Sequence, residues 1–151
     1  MGSPSAFWLI LFNIMSAHAL ADNLSERLES TLPKPIRALK IHSTTLNEAK
    51  VILGKPALVE GEHYYWAYQG MKYSLALTFS QKTLSLIQYH LVDAKPEIEF
   101  FKPFIQASDL KSIPQPGNSS ETGALRYSKN GMSFEFSPVT KKLEFVEIRS
   151  P

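Results

Sequence analysis

The sequence predicts an α+β fold made of two degenerate helix-plus-antiparallel-three-strand repeats, with the helices packed on one sheet face. Three observations lead there. A helix with a marked start and stop runs from Thr45 to Gly54, strands rich in aromatic and aliphatic residues follow as far as Leu91, and a weaker copy of the same order of signals returns after Ser108. The division that results is a leader at 1–21, a first repeat with an N-terminal helix at 22–92, and a second, degenerate repeat at 93–151.

In chain order, Leu24, Leu28 and Leu32 stand four apart among polar residues, which gives a short helix between Asn23 and Leu32 one apolar stripe. Pro33-Lys34-Pro35 reads as its end, and Ile36 to Ile41 as a strand or an extended lead. Thr45 with Glu48 three residues on has the spacing of a capping box, and Leu46, Ala49, Ile52 and Leu53 share a face behind it. Gly54 and then Pro56 stop the helix. After the turn-prone Glu60-Gly61-Glu62, His63 to Tyr68 is too short and too aromatic for anything but a strand. Tyr73, Leu75, Leu77 and Phe79 alternate with Ser74, Ala76, Thr78 and Ser80, the period of a strand with one buried side. Gln81-Lys82 turns the chain into a third strand, Leu84 to Leu91.

Val92 to Phe104, with Pro96 and Pro103, reads as a connection containing a helical turn. Ser108 to Ile113 then resembles a shortened helix, Pro114 to Gly117 its stop, and Asn118 to Gly123 a polar loop. Leu125-Arg126-Tyr127 stands where Trp66-Ala67-Tyr68 stood. Asn130-Gly131 is a strong type I′ hairpin signal, Met132, Phe134 and Phe136 alternate after it, and Leu143 to Ile148 closes the unit. Gly-Met (Gly70-Met71, Gly131-Met132) and Phe-Ser (Phe79-Ser80, Phe136-Ser137) recur at offsets that differ by four residues, so the repeat is a degenerate one.

The 151 residues carry a formal charge of +2, with eight basic and six acidic side chains up to Val92 and eight of each from Asp93. No basic face for nucleic acid follows from that balance. Residues 1–21 contain no charged side chain; Ala6 to Met15 is an apolar run of signal-peptide length, and Ala19-Leu20-Ala21 is an A-x-A cleavage site. The segment Met1 to Ser5 lacks the usual Lys or Arg, so either the true start lies elsewhere or the signal is atypical; the competing reading is a buried N-terminal helix. Export to the periplasm or beyond is expected, with 22–151 as the mature chain. There is no cysteine, hence neither a disulfide nor a lipid anchor at Cys, and no second apolar stretch reaches transmembrane length.

Thr45-Leu46-x-Glu48-Ala49, Leu53-Gly54-Lys55-Pro56, the strand element Trp66-x-Tyr68 and a hairpin ending in Phe79 before a last apolar strand together resemble the repeat of the β-lactamase-inhibitor-protein-like superfamily. The small lipoprotein subunit of the outer-membrane β-barrel assembly machinery carries a single similar unit. The likeness covers Thr44 to Tyr89 and, less fully, Ser108 to Ile148, and the lipoprotein's cysteine is missing here. The resemblance implies this fold and action by binding other proteins.

Catalytic signatures are sparse. Of the mature histidines His42, His63 and His90, His63 lies with Glu60 and Glu62 on a turn with no partner at helical spacing, so solvated side chains explain them better than a metal site. No G-x-S-x-G or S-x-x-K activates a serine. Asp93, Glu97 and Glu99 lie on a connection beside Lys95 and Pro96, where an exposed linker explains them better than an acid/base pair. No cofactor is expected. Strand parity instead assigns Tyr64, Trp66, Tyr68 and the Tyr73–Phe79 row to the core, and leaves Tyr65, Ser74, Ala76, Thr78, Arg126, Ser133 and Glu135 on the other face. Tyr65, Ser74, Thr78, Arg126 and Glu135 are the candidate protein-binding residues, since small and hydroxyl side chains admit a partner closely and Tyr and Arg anchor it; an ordinary wet sheet face is the competing reading.

The expected function is that of an exported bacterial, non-enzymatic module that binds another envelope or secreted protein through this face. The alternative is a periplasmic small-ligand or cell-wall-associated binding module using the cleft between repeats, and a hydrolase is the third class. N-terminal sequencing of the exported protein should read Asp-Asn-Leu-Ser; an intact Met1 on folded cytoplasmic protein would contradict export.

Overall fold

A computed structural model describes residues 24–92, 95–114 and 123–150, so the leader and the whole of 115–122 lie outside the described residues. The fold is α+β and mostly sheet. Helix α1 covers 24–31, α2 Lys34–Arg37 and α3 Leu46–Leu53. The strands are β1 (Leu58–Glu60), β2 (His63–Tyr68), β3 (Met71–Ser80), β4 (Thr83–His90), β5 (Leu110–Ile113), β6 (Ala124–Lys129), β7 (Met132–Phe136) and β8 (Leu143–Arg149). They form one antiparallel sheet in the order β1-β2-β3-β4-β8-β7-β6-β5, that is, two successive meanders joined where β4 pairs with β8. No helix among the described residues is long and apolar enough to cross a membrane.

The capping box forms as its spacing requires. Glu48 accepts from the Thr45 backbone N–H at 2.7 Å and from its hydroxyl at 2.9 Å, while Thr45 Oγ1 accepts from the Glu48 N–H. These hydrogen bonds, the backbone one first, hold the Glu48 carboxyl below its ordinary pKa. Gly54 ends α3 at φ +83°, and its carbonyl accepts the indole N–H of Trp66 at 3.0 Å, which ties the helix end to β2. Trp66 is 4% exposed and shares one core with Leu24, Leu28, Leu32, Ile36, Leu75, Leu77, Tyr89, Phe134 and Val146. The connection after β4 joins that core through Ile98, Phe101 and Ile105, while Arg27 of α1 lies 4.4 Å above the Phe100 ring.

Four expectations need correction. Ser108 to Ile113 is not a short helix: one 3₁₀ turn, Ala107–Asp109, leads into β5, whose pairing with β6 outweighs the helix-like spacing of Leu110 and Ile113. Each meander therefore has four strands, because β1, too short to show a period, precedes the three expected. Ile36 lies in α2 rather than in a strand, because a proline in the first turn costs a helix nothing there. Tyr73 leaves the core row: three residues of β3 stand opposite one of β2 between the pairs Trp66↔Leu75 and Tyr68↔Met71, and Tyr73 itself has φ +60°, so the alternation slips.

The two-residue hairpins at Gln69-Gly70, Gln81-Lys82 and Asn130-Gly131 have positive φ at both positions, the type I′ pattern that suits twisted strands. At Gln81 and Lys82 side chains occupy the conformation glycine and asparagine prefer. Replacing the pair by Asn-Gly should raise stability by about 1 kcal/mol, whereas Gly131→Val should lower it by about 1–3 kcal/mol; urea unfolding of the two variants reads both signs.

Candidate functional site

Cross-strand register builds a second face from the residues that alternate with the core. One row crosses the sheet as Tyr65, Ala76, Gln88, Glu147, Ser133 and Ser128. Beside it runs His90, Phe145, Glu135, Arg126 and Lys111, and on the other flank His63, Thr78, Leu86 and Arg149. A shallow hollow of about 350 Å³ lies across the first two rows, with Tyr65 and Tyr73 at one end and Arg126 and Glu135 at the other.

At the tyrosine end the rings meet edge to face, 5.9 Å between centroids, and Tyr73 remains 40% exposed. The same bulge that turned Tyr73 outward brings it onto Tyr65. In the middle, where β4 meets β8, the His90 and Phe145 rings are 4.7 Å apart and the Gln88 amide donates to Glu147 at 2.9 Å. At the far end Arg126 Nε donates to Glu135 Oε1 at 2.8 Å, and Nη2 forms an ion pair with the same oxygen. Using one oxygen for both donors leaves the pair short of the bidentate arrangement.

The five candidate residues separate accordingly. Tyr65, Arg126 and Glu135 line the hollow, Arg126 and Glu135 as direct cross-strand partners. Thr78 lies on the same face one row outside, its hydroxyl 2.8 Å from His63 Nδ1, so His63 is a strand residue and not a loose turn residue. Ser74 is a correction: it is completely buried, accepting from the Tyr68 N–H at 2.9 Å and donating to the Tyr68 carbonyl at 3.0 Å. It satisfies backbone groups beside the bulge and has nothing to offer a partner. His90, Phe145, Gln88 and Glu147 were missed, although the alternation of Ile87 and Tyr89 with Gln88 and His90 carries the signal once the strand is paired with β8. No group of three or more potential metal ligands occurs among the described residues.

These features define an α+β protein with one antiparallel sheet and an aromatic and charged hollow on the face opposite its core. No family model matches the chain, and no curated protein does. Among solved structures it is similar to a DUF4309-family protein, YjgB, from Bacillus subtilis subsp. subtilis str. 168, with a TM-score of 0.55 and 12% identity over 89% of this chain and 97% of that one. The likeness is one of fold.

His90 gives the site a pH dependence. Partial burial holds its imidazole below the ordinary value near 6.5; Glu135 and Glu144 push it upward, and Lys95 downward. A folded state that takes up this proton less readily than the unfolded one is at its full stability above pH 6.5 and loses it as pH falls through the lowered pKa. Wild type should therefore lose more melting temperature between pH 7.5 and 5 than His90→Gln does; equal losses would mean that other groups carry the dependence.

Proposed function

We propose that this chain is an exported bacterial, non-enzymatic module that binds another envelope or secreted protein through the sheet face bearing Tyr65, Tyr73, His90, Phe145 and Arg126. The observation that carries the reading is the hollow's composition: four rings and an arginine gathered on one surface, with small Ala76 between them. Aromatic and arginine anchors around small residues are what protein interfaces use, because rings bury much area for few rotors and small neighbours admit the partner closely. Tyr65 and Phe145 are half-buried and Arg126 is exposed, so each retains surface for a partner to cover.

The proposal includes two degenerate repeats of the β-lactamase-inhibitor-protein-like kind, with helices on one side. In its support, the turns Gln69-Gly70 and Asn130-Gly131 each open a strand beginning with Met, and a bulge immediately precedes both Phe79 and Phe136. Trp66, whose indole meets the end of α3, belongs to the row that alternates with Tyr65. Export rests on the uncharged apolar start and Ala19-Leu20-Ala21, which lie outside the described residues.

A second reading, a small-ligand or cell-wall-associated binding module, draws on the hollow's position at the junction of the meanders and its volume of about 350 Å³, near the lower bound of ligand sites. Immobilised mature chain in envelope extract separates the two: one stoichiometric protein supports the first, and cell-wall material without protein the second. Tyr65→Ala and Arg126→Ala should each leave stability within about 0.5 kcal/mol of wild type and weaken capture of that protein by on the order of 2 kcal/mol. Normal melting with unchanged affinity in both variants would leave the face merely solvated.

A further inference from the structure

On the core side of the sheet a cavity of about 150 Å³ lies beneath the first two helices. Its floor is one cross-strand row, Ile87 of β4, Ile148 of β8 and Met132 of β7, which are direct partners in register. Its roof is the apolar stripe of α1, Leu28 and Leu32, continued by Ile36 of α2, and Leu39 and Ile41 close the side. Its polar side chains are half-buried Ser25 and the exposed Glu29, Arg37 and Lys40, whose exposure marks the solvent-facing rim.

Water gains little inside such a space, because an ordered water needs two to four polar partners and the floor and roof supply none, while about 150 Å³ of aliphatic lining is the size that takes up a benzene-sized apolar guest. An unfilled cavity also costs stability, so a guest that fills it is bound at a gain. The rim selects the guest's other end. Arg37 is exposed and forms no ion pair among the described residues, and Lys40 meets Glu29 only at 3.9 Å with both side chains half in solvent. Two cations against one acid leave the opening net positive.

We propose that this cavity binds a small carboxylate with an apolar tail of about five or six carbons, the tail on the Ile87–Ile148–Met132 floor and the carboxylate at Arg37 and Lys40. The volume excludes a long acyl chain, which separates this ligand from a membrane lipid. The floor residues alternate along β4 and β8 with Gln88 and Glu147 of the sheet-face hollow, so the site lies across the sheet from Tyr65 and Arg126 and stands or falls independently of partner binding there.

Hexanoate is the probe, titrated into the full chain with methyl NMR as the readout. Saturable shifts should appear at the Ile87, Ile148, Leu28 and Met132 methyls, and hexanoate should raise the melting temperature. Met132→Phe, at a half-buried position on the floor, should abolish both effects. Arg37→Gln, at an exposed position that leaves the core untouched, should weaken hexanoate about threefold, the scale of an exposed ion pair, and leave neutral hexanol unchanged. Absence of saturable shifts at these methyls, or hexanoate affinity indifferent to both substitutions, would overturn the site. Hexanol binding as tightly as hexanoate would overturn the role of the cations.

Discussion

The pairing of β4 with β8 is the constraint on which the rest of this molecule depends. Five residues of each strand, from Leu86↔Arg149 to His90↔Phe145, join the two meanders into one sheet. Because side chains alternate, this one ladder supplies both faces: Ile87, Tyr89, Val146 and Ile148 face the core, and Gln88, His90, Phe145 and Glu147 form the middle of the hollow. A slip of one residue would send isoleucine and tyrosine into solvent and a glutamate into the core, so burial on one side is enough to hold the register.

The parts legible in the sequence are those whose chemistry is local. The Thr45–Glu48 box, the Gly54 stop, the strand alternation around Leu75 and Leu77 and the Asn130-Gly131 turn each state their structure within a few residues. What escaped needed a partner distant in the chain. β1 and β5 are too short to establish a period and exist because β2 and β6 offer them hydrogen bonds. Tyr73 and Ser74 obey strict alternation in the sequence, yet the bulge turns one ring outward and sinks the neighbouring hydroxyl under the backbone. His90 and Phe145 stand 55 positions apart (145 − 90), and only the pairing of the meanders brings their rings together. Part of the candidate site was therefore visible as an outward parity, while its centre was a product of tertiary structure.

That distance also orders the folding of the chain. The hairpins β2–β3, β3–β4, β6–β7 and β7–β8 close short loops, whereas the central ladder joins residues 55 to 63 apart (145 − 90 and 149 − 86). Loop-closure entropy puts such a contact late. Each meander has turn chemistry and apolar residues of its own to collapse around before the two meet.

The lengths of the outermost strands bear on solubility. A sheet that is not closed into a barrel ends in rows of unpaired N–H and C=O groups, the template on which chains add to one another. Here the ten-residue β3 lies inside the sheet, while the ends are the three residues of β1 and the four of β5, the latter with Lys111 in its middle. A foreign strand that docked on either end would find only a few backbone groups to grip and, at one end, a charge to desolvate. The molecule thus gives other copies of itself little edge on which to begin a fibril.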